Sequence, residues 1–310
     1  MGRLIAETIE FLIELSGRRV EASDLTHGVV ITDVLRDTPR LHFPYPRDLR
    51  DAKRAPLLFA GQRSVLVVDW HGRARTELRH RLDRLDPLAA APSPPDTYAA
   101  EFSRAGSLVA EATRRLGGIG FFLRDDRSIW SFAEGQPLLI RRGEHWTAFP
   151  LEFATAIAKK IGANTAVADM LVRAALLISV QRHGAILAIV ESADALDAIV
   201  SPKDRYDLRN AVEATAMPTE TRLHHVIDAE QPDAQNLARL AALDGATILD
   251  RKGRLLTYGA IVTSADSQHE GGAHRGSQDL SHTAEIVLEV SVDGDITVFR
   301  EGQLVARLLC

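Results

Sequence analysis

A single cysteine, Cys310, leaves no partner for an intrachain disulfide and no means of building a cysteine-rich metal cage. That usage fits a reducing cytoplasm. No apolar run approaches the roughly 20 residues a membrane span needs. Outside the first residues the longest runs from Ala174 to Val180. The early segment LIAETIEFLIEL is apolar, but Glu7, Glu10 and Glu14 recur through it and no small-residue cleavage site follows. It reads as an amphipathic helix, so neither a membrane span nor an export signal is expected. An excess of basic charge is also missing, since the net charge is −5 and the pI about 6.1. No general attraction for nucleic acid or an anionic membrane follows from that balance. No fixed period recurs along the chain, which argues against a solenoid or propeller.

What is present is an ordinary globular composition, 45% hydrophobic and 25% charged, over 310 residues. That length suits two domains, each burying its own core. In the first half, Leu4, Ile5, Thr8, Ile9, Leu12 and Ile13 recur at helical spacing. Short β-branched runs at Gly28–Val34 and Leu57–Trp70 read as strands. Arg73–Arg84 carries mixed charges and reads as a solvated helix face. The proline-rich stretch Asp86–Tyr98 reads as a spacer or surface loop. A helix is expected from Tyr98 to Leu116, followed by strand-like pieces that form an antiparallel meander. Aromatic residues, only 5% of the chain, gather in that meander as Phe121, Phe122, Trp130, Phe132, Trp146 and Phe149. They fit either a sheet core or an aromatic-lined ligand pocket.

Pro150 marks a change of pattern. Helices are expected at Leu151–Ile161 and Thr165–Gln181, then a buried strand at Gly184–Val190. Further helices are expected at Lys203–Ala214 and Asp233–Ala242. The fold class is therefore α/β. An α+β domain spans residues 1–150, and a domain with a central mixed sheet flanked by helices spans residues 151–310.

The chemistry-bearing residues lie late in the chain. Asp244, Gly245 and Ala246 open a strand that runs to Asp250, a tight turn follows, and Leu255–Val262 returns. A carboxylate beside a glycine at a strand edge can hold a divalent cation or accept a hydroxyl proton, while the glycine admits a ligand close to the backbone. The loop SADSQHEGGAHRGSQDLS then brings Gly271, Gly272 and Gly276 together with His274, Arg275 and Ser277. A helix starting near Ala273 would add its N-terminal amides to that basic group and favour phosphate. The loop histidines fit no helix-borne metal motif.

The order and spacing of these motifs resemble the diadenylate cyclase domain, the nucleotide-binding domain of the DNA-integrity scanning protein and its relatives. That family carries an Asp-Gly-Ala motif on a strand and, about thirty residues on, an Arg-His-Arg motif before a helix. Asp244, Gly245 and Ala246 match the first motif, and Ala273 lies 29 positions on (273 − 244 = 29). Arg182, Gly184, Ala185, Ile186 and Leu187 occupy the family's opening pattern, and Glu285 to Gly302 its closing hairpin. The likeness covers about Leu151 to Leu309.

Two departures accompany it. The basic triplet reads Ala273, His274, Arg275 in one register and His274, Arg275, Gly276 in the other, so one arginine is absent in either. A lost charge-assisted contact costs about 1.5–3 kcal/mol. Val292 and Asp293 stand where the family often carries a glutamate.

The resemblance implies condensation of two ATP molecules into cyclic di-AMP with Mg²⁺ or Mn²⁺. The implied cation ligands are Asp244 and Asp293, and Gly245 and Ala246 complete the acidic motif. Gly271, Gly272, His274, Arg275 and Ser277 are implied at the phosphates. A symmetric product implies a face-to-face homodimer or larger assembly. Residues 1–150 are expected to act as a sensor or regulatory domain. The alternative is a nucleotide-binding sensor on the same fold without turnover.

Overall fold

The computed structural model describes residues 2–20, 23–34, 40–52, 58–61, 64–79, 107–149, 152–208, 232–243, 245–262 and 272–309. They form two compact units, Met1–Phe149 and Pro150–Cys310, each with its own mixed sheet. The chain is α/β throughout.

In the first unit, helix α1 (Gly2–Ser16) precedes a two-stranded ribbon of β1 (Arg19–Val20) and β2 (Ser23–Asp24). Eight strands then make the main sheet. They are β3 (His27–Ile31), β4 (Phe43–Pro44), β5 (Ser64–Val68), β6 (Arg73–Arg79), β7 (Ile119–Leu123), β8 (Ile129–Ala133), β9 (Gln136–Arg142) and β10 (His145–Ala148). Their spatial order is β10-β9-β8-β7-β3-β5-β6-β4, with only β3 and β5 parallel. The short helix α2 (Arg47–Asp51) lies in the crossover between that pair, and α3 (Ser107–Leu116) packs on β3, β5, β7 and β8. Of the apolar stripe expected on α1, Leu4, Thr8 and Leu12 are buried and Ile5 and Ile9 partly so, whereas Ile13 is 36% exposed. Phe11 and Leu15 complete the buried face against Val29, Ile31, Leu66, Val68 and Phe121. Of the meander's aromatics, Phe121, Phe122, Trp130 and Phe132 are buried and form core, whereas Trp146 is 39% exposed.

Three hairpins turn by the same five-residue device. Asp69, Asp250 and Ser291 each use one side-chain oxygen to accept the backbone N–H groups two and four residues on, at 2.9–3.2 Å. The first residue also exchanges backbone bonds with the fourth and fifth. The fourth residue is Gly72, Gly253 or Gly294, at φ of 77°, 88° and 85°. This is a type I turn followed by a left-handed residue, the usual three-residue hairpin loop.

That device explains why Arg73–Arg79 is strand β6 and not the helix face its charges suggest. The Asp69 turn closes a hairpin immediately before it, and Ala74 is buried beneath while the charged residues stay outward. Asp69 is 3% exposed and also takes Arg75 Nε at 2.7 Å. Burial pushes its carboxyl up, but the amides of Arg73 and His71 and the Arg75 guanidinium outweigh this and hold it below the usual range. A depressed carboxylate contributes stability at neutral pH, and that contribution is lost as pH falls through its folded pKa. Asp69→Ala is expected to lower the unfolding free energy by about 2–4 kcal/mol at pH 7. Urea titrations at falling pH check this, because the gap to wild type should narrow below pH ~4.

The second unit begins with α4 (Phe153–Ile161) and α5 (Thr165–Gln181), the latter capped by the Asn164 side chain at Ala166 N–H. Its sheet comprises β11 (Ala185–Val190), β12 (Tyr206–Asp207), β13 (Ala246–Asp250), β14 (Leu255–Ala260), β15 (Ile286–Val290), β16 (Ile296–Arg300) and β17 (Gln303–Leu309). The order is β12-β14-β13-β11-β15-β16-β17, with only β11 and β13 parallel. Helices α6 (Leu196–Ile199) and α7 (Ala234–Ala241) lie in the crossover, and α8 (Gly272–Leu280) links β14 to β15. The helix expected over Lys203–Ala214 is replaced, in its described part, by a 3₁₀ turn and β12, because Tyr206 and Asp207 pair with Tyr258 and Thr257 at the sheet edge.

Strand β11 is apolar on both faces because both are covered. Ala188 and Val190 share a cluster with Ala246, Ile248, Val287, Phe299, Leu196 of α6 and Leu280 of α8. Leu187 and Ile189 are equally buried and point to the opposite face, where α5 and α7 lie against the same strands. Among the described residues, no helix is long and apolar enough to cross a membrane.

Candidate functional site

Sheet register sets Ala246 of the acidic motif in line with Glu289. Ala246 pairs with Ala260 on one side and Ile186 on the other, Ile186 pairs with Glu289, and Glu289 pairs with Thr297. These residues form one transverse row, so their side chains share a face. It is the face that carries α8. The same end of the sheet holds the start of β13, the finish of β14 that leads toward α8, and the turn between β15 and β16. The acidic motif and the basic helix therefore approach one another from two connections at one sheet end.

Asp244 and Gly271 lie outside the described residues. Gly245 stands at φ +79°, and a Cβ there would lie 2.7 Å from the Gly259 carbonyl carbon and 2.9 Å from Ala260 N and O. Its missing side chain thus accommodates the chain's own neighbouring strand. Ala246 is fully buried in the cluster beneath α8.

Gly272 opens α8, and His274, Arg275, Gly276 and Ser277 occupy its first two turns. His274 and Arg275 are exposed, whereas Gly276 and Ser277 face the sheet. The Ser277 hydroxyl is buried and meets no hydrogen-bond partner among the described residues. His274 and Phe299 form a T-shaped ring pair, at 4.8 Å between centroids and 75° between planes. Its Nδ1 lies 2.8 Å from Glu289 Oε2. The far end of α8 is held down by Gln278, which donates to Gly302 O, and by Ser281 Oγ, which accepts from Gly302 N–H.

Sequence reasoning missed Glu289. The signal was available: a carboxylate inside the otherwise apolar strand IVLEV has to find a partner. Only the topology shows that His274 is that partner.

Asp293 sits exposed on the β15–β16 turn. Among the described residues, no group of three or more His, Cys, Asp or Glu is placed to hold a metal ion. Aspartate oxygens suit Mg²⁺ or Mn²⁺ by hardness, but among the described residues Asp293 belongs to no such group, so no chemical step is routed through a cation here.

No family model and no curated protein matches the chain. Among solved structures, a double mutant of DacA from Staphylococcus aureus aligns with a TM-score of 0.31 and 15% identity, over 50% of this chain and 90% of that one. A hypothetical membrane spanning protein from Bacillus cereus aligns with a TM-score of 0.31 and 16% identity, over 50% of this chain and 74% of that one. Likeness at this level assigns no activity.

Proposed function

We propose that the unit Pro150–Cys310 binds ATP between the Asp244–Ala246 motif and the first turn of α8, and that two such units meet face to face to condense two ATP into cyclic di-AMP. One observation carries this reading: Ala246 and Glu289, the partner of His274, stand in one row on one face of the sheet. The acidic and basic motifs are 29 positions apart in sequence (273 − 244 = 29), and the row sets Ala246 two strands from the partner of His274.

Each ribose 3′-hydroxyl attacks the α-phosphate of the other nucleotide, and pyrophosphate leaves. The chemistry is chiefly positioning and charge neutralisation. Asp244 orients the hydroxyl, and with Asp293 is the candidate ligand for Mg²⁺ or Mn²⁺, which supplies charge neutralisation at the phosphates when bound. Arg275 and the amides at the start of α8, which Gly271 precedes in sequence, bind the phosphates. Leu243 and Ile261, 57% and 61% exposed and flanking the motif and its paired strand, offer apolar surface to the base. Residues 1–150 act as the regulatory module of this cytoplasmic, oligomeric protein.

The test is direct. Purified protein is incubated with ATP and Mn²⁺ or Mg²⁺, products are resolved by chromatography, and ATP binding is measured in parallel. Cyclic di-AMP is the expected product. Binding without product at high protein concentration would assign the chain to the nucleotide-sensing alternative, and absence of binding would remove both readings.

A further inference from the structure

His274 and Glu289 form a pair that the missing arginine does not explain. Glu289 is 11% exposed at its side chain, and its Oε2 lies 2.8 Å from His274 Nδ1. A carboxylate has acceptors only, so the hydrogen in this contact belongs to Nδ1. Half of the His274 side chain nevertheless stays exposed. With Nδ1 engaged by Glu289 and the ring packed in a T-shaped contact with the buried Phe299, the ring nitrogen left for another partner is Nε2. In the neutral ring that atom bears a lone pair and accepts a proton. A neutral histidine held this way offers an acceptor and not a donor at Nε2, and can take a hydrogen from a hydroxyl. The arrangement is that of a base oriented by a carboxylate.

The position agrees with such a task. Glu289 and Ala246 stand two strands apart in the same row, roughly 10 Å at the usual strand spacing. The imidazole reaches over that row from α8, on the face where the acidic motif enters.

We infer that Glu289 is a positioning residue, which fixes His274 in the Nδ1–H tautomer and presents Nε2 as the proton acceptor for the attacking ribose hydroxyl. This rests on the nucleotide reading above. In the step, the O–H bond breaks and its proton passes to Nε2. The hydroxyl oxygen forms a bond to the α-phosphorus, and the bond from that phosphorus to pyrophosphate breaks with its electron pair. The Glu289 carboxylate balances the charge the ring acquires. His274 is thereby reassigned from phosphate binder to base, which leaves Arg275 and the α8 amides as the phosphate side of the site.

The experiment is ¹⁵N imidazole NMR on the full ligand-free chain, with His274→Gln to assign the signal, followed by ATP titration and turnover assays. Wild type is expected to show Nδ1–H. Glu289→Gln, whose amide oxygen still accepts, should retain that tautomer, keep KM for ATP within about twofold and lower kcat about 10–100-fold, as loss of a carboxylate behind a working histidine does. Glu289→Leu removes the acceptor without opening a cavity, and should move His274 toward Nε2–H with a larger fall in kcat. A wild-type Nε2–H signal, or a tautomer unmoved in Glu289→Leu, overturns the inference. So does a kcat in both variants equal to wild type. The tautomer is read without nucleotide, so failure of ATP to bind while the Nδ1–H pattern holds overturns the nucleotide reading and not the carboxylate–imidazole pair.

Discussion

Replacing Asp244 by Asn is expected to abolish cyclic di-AMP formation, with a fall of at least about 10²–10³-fold, while the protein stays folded and still binds ATP. Asparagine keeps the size and one oxygen of aspartate but loses the charge that orients a hydroxyl and attracts a divalent cation. Sequence order places this residue between Leu243, whose N–H bonds back to Leu240 O after α7, and Gly245, which is fixed against β14. Both flanks are set by backbone contacts, so the thermal midpoint should stay within a degree or two. The assay pairs product chromatography with nucleotide binding by calorimetry. Turnover within about threefold of wild type would remove Asp244 from the mechanism.

Gly245→Ala carries the largest expected loss of stability. A non-glycine residue at φ +79° costs about 1–2 kcal/mol. The added methyl also meets the Gly259–Ala260 backbone, and overpacking of that kind costs about 1–3 kcal/mol because main chain cannot rotate aside. Together these make about 2–5 kcal/mol, a large share of the 5–15 kcal/mol typical of a folded protein. Urea denaturation should show the midpoint fall with an unchanged slope. This result separates two explanations of the glycine. If it were there only to admit a ligand, the variant would lose ATP affinity and keep its stability.

Much of the site was legible because it is local. The turn chemistry of Asp250 to Arg254 and Ser291 to Asp295, the apolar run at Ala185–Val190 and the glycine that opens α8 each act within a few residues. The same locality explains the misreading of Arg73–Arg79. Its charges fit a solvated helix, but the hairpin turn at Asp69, built like the one at Asp250, decides for a strand. Over Lys203–Ala214 the competing influence was not local at all, since Tyr206 and Asp207 take their conformation from Tyr258 and Thr257.

By itself the sequence determined that this is an α/β chain, where the acidic and basic motifs lie and how its hairpins turn, because periodicity, turn residues and glycine positions act over short distances. Tertiary structure alone decided that Ile186 sets Ala246 and Glu289 in one row, that Ser277 faces inward and His274 outward, and that Glu289 holds the imidazole. Those relations join residues far apart in the chain, and strand register, which no local pattern encodes across a crossover, is what brings them together.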